Sequence, residues 1–369
     1  MIRLSKSCLS SAEKNAVLGV LDREYLGMGA EVKIFEDALA DYFGRSVACV
    51  ATGTAALQLA LQAAECGPDS EVLVQSLTFV ASFQAITACG ATPVACDILP
   101  DSLTIDLEDA ARRVTKKTKA IMPVHYSGGV GQLENIYQFA RDHKLRVIED
   151  ASHAFGTTHG GKRVGSFGDI VCFSFDGIKN ITCGEGGAVV TADPAVHKAV
   201  QDARLLGVEN DSEKRYSGAR SWNFDVRQQG WRYHMSNIMA AIGYEQLQRF
   251  PEFARKRQAL ACRYRDNLAN ITAVKLINID YNEVVPHIFP LRLLNVTRDK
   301  IMEHLASRDI QTGFHYQPNH QLSLFRTDYR LPITEHIFPQ LLTLPLHPDV
   351  TESEVDFVCE QLSLAVGEA

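Results

Sequence analysis

Lys179 lies in the segment SFDGIKNITCGEGG, after a short apolar run and ahead of Gly184, Gly186 and Gly187. An amine removed from water loses proton affinity and becomes a nucleophile toward aldehydes, whereas the same lysine in a solvated loop is only a surface charge. Asp150 closes the apolar run RVIED. A carboxylate at the exit of such a run must be paired or must face a cation. It can cap the ASHAFG segment that follows, or it can keep the ring nitrogen of pyridoxal phosphate protonated, which makes that ring an electron sink. His153, three residues on, either donates to a ring hydroxyl or is a satisfied core histidine. Gly53 and Thr54 follow SVACVA and open AALQLALQAA. Backbone N–H groups at a helix start bind phosphate and a threonine hydroxyl adds a donor, although an ordinary turn and cap has the same sequence. Ser174 can supply another donor, and Phe79 either stacks on a ring or is core.

These residues occupy equivalent places in a repeating pattern. Short β-branched runs at 46–51, 71–74, 119–124, 145–149, 170–175 and 187–191 read as buried strands. Helical stretches lie between them at 54–65, 78–89, 106–114 and 132–143, after amphipathic helices at 11–24 and 32–43. Alternating strands and helices imply a parallel α/β sheet covered on both faces, with ligands beyond the carboxyl ends of the strands. The residues found there are Gly53-Thr54-Ala55, Thr78-Phe79, His125-Tyr126, Asp150 with His153, and Ser174 with Lys179. Together they point to a phosphate-bearing aromatic cofactor, with the amine nominating an imine.

The rhythm breaks at 207–234, a polar stretch rich in Arg and Trp, and a loop of that length in a compact protein is functional or disordered. Residues 236–268 read as one long helix with Ser236 as N-cap, which Pro251 should kink or divide. Strands at 285–294 and 310–316 and a helix at 351–365 follow. A boundary near residue 245 gives a large domain, 1–245, and a smaller one, 246–369.

The 369 residues suffice for about two domains. A composition of 46% hydrophobic and 22% charged residues is that of a soluble globular protein. The net charge of −7 argues against broad nucleic-acid binding. There is no run of about 18 apolar residues and therefore no expected membrane span. The N-terminal MIRLSKSCLSSAEKNAV lacks an uninterrupted apolar stretch, so a cytoplasmic location is expected. Nine scattered cysteines, none in a CxxC pair, suit a reducing compartment and offer no zinc site. No histidine pair has metal spacing, so no metal is expected. Residues 156–162 (GTTHGGK) have P-loop spacing, but Arg163 stands where a Mg²⁺-binding hydroxyl belongs.

In order along the chain come YLGMGAEVKIFEDALADYFG (25–44), ATGTAALQLAL (51–61), SLTFVAS (76–82) and RVIEDASHAFG (146–156). CFSFDGIKNITCGEGGAVV (172–190), GWRYHMSNIMAAIGYEQL (230–247) and LLTLPLHPDVT (341–351) complete the set. This ordered set resembles the DegT/DnrJ/EryC1/StrS family of sugar aminotransferases over nearly the whole chain. The resemblance implies fold type I, with a mostly parallel central sheet flanked by helices in the large domain and a smaller C-terminal α/β domain. It also implies pyridoxal 5′-phosphate as cofactor, with pyridoxamine 5′-phosphate as its intermediate form. By that resemblance Lys179 is the imine-forming lysine, Asp150 the partner of the ring nitrogen and His153 the contact to the ring hydroxyl. Gly53, Thr54 and Ser174 match phosphate contacts, and Phe79 the aromatic on the ring face.

Family members form homodimers with shared active sites, in which a neighbouring subunit sends an Asn to the phosphate from a GYNYRMS-like segment. This chain has GWRYHMS, with Arg232 in place of that Asn and His234 in place of an Arg. Arg is a planar charged donor, so the role passes to Arg232. Asp176-Gly177-Ile178 departs from the commoner aromatic-Pro-small run before the lysine. The implied activity is transamination from L-glutamate, leaving 2-oxoglutarate, to a nucleotide-linked keto sugar. The expected sugar is a dTDP- or UDP-4-keto-6-deoxyhexose aminated at C4, with the loop 208–230 and the neighbour's Arg232 gripping the nucleotide phosphates. Surface polysaccharide, such as lipopolysaccharide O-antigen, or glycosides would use the product. A 3-keto sugar and a non-catalytic PLP- and sugar-binding regulator are the alternatives. Lys179, where the family's dehydratases carry His, favours transamination.

Overall fold

The computed structural model describes residues 1–368. The chain begins with α1 (Ser11–Asp22), closed by a capping box between Ser10 and Glu13. Helix α2 (Ala30–Phe43) ends where Gly44 turns left-handed at φ 68. The expected alternation follows as β1 (Ser46–Val50), α3 (Gly53–Ala63), β2 (Glu71–Gln75), α4 (Val80–Ala88), β3 (Thr92–Cys96) and α5 (Leu107–Arg113). It continues as β4 (Thr118–Met122), α6 (Leu133–His143) and β5 (Arg146–Asp150), then a two-residue hairpin of β6 (Thr158–His159) and β7 (Lys162–Arg163). Strands β8 (Ile170–Ser174) and β9 (Gly187–Thr191) and helix α7 (Pro194–Ala203) close this part.

Seven strands form one sheet in the order β1-β9-β8-β5-β4-β2-β3. The β2–β3, β2–β4, β4–β5 and β5–β8 pairs are parallel, and β9 is antiparallel to both β1 and β8. Successive residues of a strand point to opposite faces, so each strand feeds two cores. Ile170 and Cys172 pack with Ala56 and Leu59 of α3. Val171 and Phe173 pack on the other face with Phe35 of α2 and Phe250. Strand β3 was not anticipated because Pro93 interrupts it; an edge strand tolerates the missing donor.

The 207–234 segment contains α8 (Asp211–Tyr216) and is tied back by single bridges, Val208 to Val226, Leu205 to Arg232 and Val50 to His234. Helix α9 (Asn237–Leu268) starts at the Ser236 cap and runs unbroken past Pro251. The expected division does not occur. Pro251 lies on the exposed face, while Phe250 and Phe253 beside it are buried, Phe250 edge-on to Phe155 at 4.9 Å.

Beyond α9, β10 (Val274–Leu276), β11 (Phe289–Leu293) and the later β12 (Leu341–Leu344) form an antiparallel sheet. Helices α10 (Arg298–Ser307), α11 (Pro332–Ile337) and α12 (Glu352–Glu368) complete the chain. Leu260 and Tyr264 of α9, Ile301 and Leu305 of α10, and Val355 and Val358 of α12 share a core with β11 and β12. The strand expected at 310–316 is absent: only Ile310 bridges Ile2, and Gly313 bridges Thr343. Leu341–Leu344 takes the place beside β11, and His315 and Tyr316 turn toward a cavity instead.

Candidate active site

The cavity lies beyond the carboxyl ends of β1, β2, β4, β5 and β8, where an open α/β sheet places ligands. Its volume is about 470 Å³, and its walls include Gly53, Thr54, Thr78, Phe79, Asp150, His153, Ser174 and Lys179. Thus the candidates from four separate strand exits, those of β1, β2, β5 and β8, reach a common space. His125 and Tyr126 do not. The His125 ring bonds the fully buried Glu149 at 2.7 Å, and the Tyr126 hydroxyl donates to the His315 carbonyl. Arg232 is exposed elsewhere in the chain, beside a small hollow lined by Arg215, Phe224 and His234.

The phosphate-type end of the cavity is set by close backbone approach. Thr52 caps α3, its hydroxyl accepting from the Ala55 N–H at 3.0 Å. The N–H groups of Gly53 and Thr54, in the first helical turn, have no acceptor within the helix. A Cβ on Gly53 would lie 2.7 Å from the Ser174 Cβ, so only glycine lets the helix start meet the end of β8. Ser174 Oγ stands at this junction, accepting the Asp176 N–H at 3.4 Å.

At the other end, Asp150 is buried and oriented from two sides. Ser82 of α4 donates to Oδ2 at 2.7 Å, while the Ser152 hydroxyl and N–H donate to Oδ1 at 2.6 and 3.2 Å. His153 receives the Ser127 N–H on Nδ1 at 3.3 Å, which leaves the proton on Nε2, 3.0 Å from the Tyr316 hydroxyl. Burial, and then the charge of Lys179, push the His153 imidazole well below its ordinary range, so it is neutral. Phe79 is 57% exposed at the rim, its ring 5.5 Å from that of Tyr316.

Lys179 follows a tight turn in which its N–H donates to the Asp176 carbonyl at 3.0 Å. Asn180, the next residue, pins that turn by donating to the Phe155 and Val285 carbonyls, both at 3.0 Å. The amine sits 3.4 Å from His287 Nε2. Desolvation lowers its proton affinity to about 8, against the opposing pull of Asp150 and Asp176. The neutral amine that attacks an aldehyde is therefore far more accessible than for a solvated lysine, and it becomes the majority form above about pH 8.

Sequence reasoning missed Ser82, Ser152, His287, His315 and Tyr316. Ser152 lies two residues past Asp150, the spacing of an Asx-turn, which is a local signal. The others approach from remote elements and carry no local signal.

The donor set suits a phosphorylated heteroaromatic aldehyde: free helix N–H groups and a hydroxyl for the phosphate, a carboxylate for a ring nitrogen and a desolvated amine for the aldehyde. A family model described as the DegT/DnrJ/EryC1/StrS aminotransferase family matches residues 7–363. The chain is 34% identical over 375 residues to a dTDP-4-dehydro-2,3,6-trideoxy-D-glucose 4-aminotransferase of Saccharopolyspora spinosa, covering 99% of this chain and 97% of that protein. The aminotransferase TlmJ of Streptoalloteichus hindustanus superposes with a TM-score of 0.92 at 30% identity, over 100% of this chain and 99% of that one. Spr1654 of Streptococcus pneumoniae, in its PLP form, gives a TM-score of 0.92 at 28% identity, over 100% and 98%.

Proposed function

The chain belongs to the DegT/DnrJ/EryC1/StrS family of pyridoxal 5′-phosphate-dependent sugar aminotransferases, and from that premise we propose that it transfers the amino group of L-glutamate to C4 of a nucleotide-linked 4-keto-6-deoxyhexose. One observation carries the reading: the Lys179 amine and the Asp150 carboxylate line the same cavity as the Gly53–Ser174 junction. The preference for C4 and for a dTDP sugar is supported by the Saccharopolyspora spinosa relative, whose name gives both.

When bound, pyridoxal 5′-phosphate supplies an aldehyde for amines and a protonated ring that withdraws electrons from the carbon being deprotonated. Gly53, Thr54 and Ser174 would hold its phosphate, and Asp150 its ring nitrogen. With the cofactor in place, Lys179 would offer its neutral amine to the aldehyde, and its Nζ would be the base that takes up the donor's α-proton and redelivers it within the site. Ser82 and Ser152 keep the Asp150 oxygens aimed into the cavity. His153 presents its Nε2–H toward the same space, where the Tyr316 hydroxyl now receives it. Phe79 and Tyr316 supply aromatic surface at the rim of the cavity for the cofactor ring.

Among the described residues, the cavity's charged lining is Lys179 with Asp150, Asp176 and Glu185, with no further cation for a phosphate dianion. This supports a homodimer in which exposed Arg232 of one protomer completes the phosphate site of the other. The loop 208–230 then reaches the nucleotide. Its Trp222 and Phe224 are 88% and 55% exposed, which suits burial against a second copy. The exit pathway would be polysaccharide or glycoside assembly in the cytoplasm.

The decisive experiment assays a panel of dTDP- and UDP-linked 3-keto and 4-keto sugars with L-glutamate and identifies the product by NMR. A 4-amino sugar is expected; amination at C3, or no turnover with any member, overturns the proposal. Borohydride reduction of the holoenzyme should mark the Lys179 peptide.

A further inference from the structure

His287 stands just ahead of β11, and its imidazole is buried. Among the described residues, its ring has one hydrogen-bond partner, Lys179 Nζ, at 3.4 Å from Nε2. The other ring nitrogen, Nδ1, is buried without a partner. The backbone behind it is held firmly. Arg257 of α9, itself buried, donates to the His287 carbonyl at 3.1 Å and to those of Pro286 and Leu346 at 3.4 and 3.3 Å. Asn180 joins the lysine turn to Val285 at 3.0 Å, so both ends of the Lys179–His287 contact are anchored. A buried polar nitrogen left unsatisfied costs stability. The molecule carries that cost at Nδ1 while aiming Nε2 at the amine.

We propose that His287 is a positioning residue for Lys179, its neutral Nε2 accepting a hydrogen bond from the ε-amine and stabilising the ammonium once the amine has taken up a proton. This rests on Lys179 being the reacting amine of the proposed transaminase. It adds that the amine is steered from the segment leading into the C-terminal sheet as well as from its own loop.

The sign of the effect follows from the surrounding charges. Asp150 of β5 and Asp176 of the lysine turn favour the ammonium, and Arg257 of α9 opposes it. His153 and His315 also face the amine, and burial first, then its charge, depresses both of them. Burial first, and then Lys179 itself, drive the His287 imidazole well below its usual range. His287 is therefore an acceptor near neutral pH, and removing it must lower the proton affinity of Lys179. A cationic histidine would have the opposite effect.

The test uses the cofactor-free full-length protein. Reductive methylation with formaldehyde and cyanoborohydride is followed across pH by mass spectrometry of the Lys179 peptide. The wild-type midpoint should lie near 8. In His287→Leu it should fall by about one pH unit, roughly a tenfold loss of proton affinity, as expected for losing a hydrogen bond to a charged group. His287→Gln, whose side-chain oxygen reaches the Nε2 position, should return to within about threefold of wild type, while the shorter His287→Asn should resemble the leucine variant. An unchanged or raised midpoint in His287→Leu overturns the proposal; should that variant not fold, equal midpoints for the Gln and Asn variants do so. The readout involves no turnover, so a wrong sugar assignment leaves it unaffected. Conversely, activity retained by Lys179→Ala would sink the transaminase reading whatever the labelling shows.

Discussion

Ser82 Oγ donates to Asp150 Oδ2 at 2.7 Å, tying the first turn of α4 to the carboxylate at the end of β5. Losing this bond leaves the carboxylate held only through Ser152. Ser82→Ala should lower kcat by about tenfold, the usual scale for one positioning hydrogen bond near 1.4 kcal/mol. Asp150→Asn, which removes the charge, should lower kcat by about a thousandfold or more. Steady-state kinetics on the two variants check the order; a silent Asp150→Asn would remove the ring-nitrogen role.

Gly53→Ala tests the phosphate cradle. The new methyl would meet Ser174 at 2.7 Å, with the Ser174 Cα at 3.2 Å, so the start of α3 must shift. Overpacking of this kind costs about 1–3 kcal/mol, so cofactor affinity should fall by about tenfold or more. Absorbance titration with pyridoxal 5′-phosphate measures it. Wild-type affinity in this variant would place the phosphate elsewhere.

The depressed lysine predicts a pH dependence of stability. Lys179 titrates near 10.5 when unperturbed and at about 8 in the folded chain. Between those values the unfolded state binds more protons, so stability rises with pH. Below 8 both states are protonated and the burden of burying the charge is fully present. Urea unfolding of cofactor-free wild type should therefore gain on Lys179→Met between pH 8 and 10, and parallel profiles would contradict a buried amine.

Arg204 and Glu36 form a fully desolvated ion pair, with Glu36 also accepting from the Tyr216 hydroxyl. Breaking one side of a buried pair strands the other, at about 3–5 kcal/mol. Glu36→Gln should lower the Tm by several degrees. The Arg204 carbonyl accepts the Tyr233 N–H at 3.0 Å, so the same change should loosen the segment bearing Arg232. Calorimetry reads the first effect and hydrogen exchange across 231–235 the second.

Shared sites predict complementation. Lys179→Ala and Arg232→Ala homodimers should each be impaired. In a mixed dimer one site carries both defects and the other none, so unfolding and refolding an equal mixture should restore about a quarter of wild-type activity by random pairing. An active monomer by light scattering, or no recovery on mixing, would exclude the shared site.

Much of the large sheet was legible because its strands are buried on both faces and read as unbroken apolar runs. Strand β3 was not, since Pro93 removes the local signal and only its edge position makes it acceptable. The 310–316 stretch misled for the opposite reason. It alternates like a strand, yet its tyrosine and histidine are claimed by the cavity and Leu341–Leu344 takes the pairing position.

By itself the sequence determined which chemistry is present: an amine, a carboxylate, a glycine-opened helix and a hydroxyl, each at a strand exit. Such positions follow from local periodicity and from the rule that ligands gather at those exits. Only the tertiary structure decided what tunes them. Ser82 with Asp150, His287 with Lys179, and Tyr316 with His153 each join residues far apart in the chain. No local pattern encodes such meetings, because they arise from the packing of whole elements. That same packing supplies the burial that moves the lysine's proton affinity.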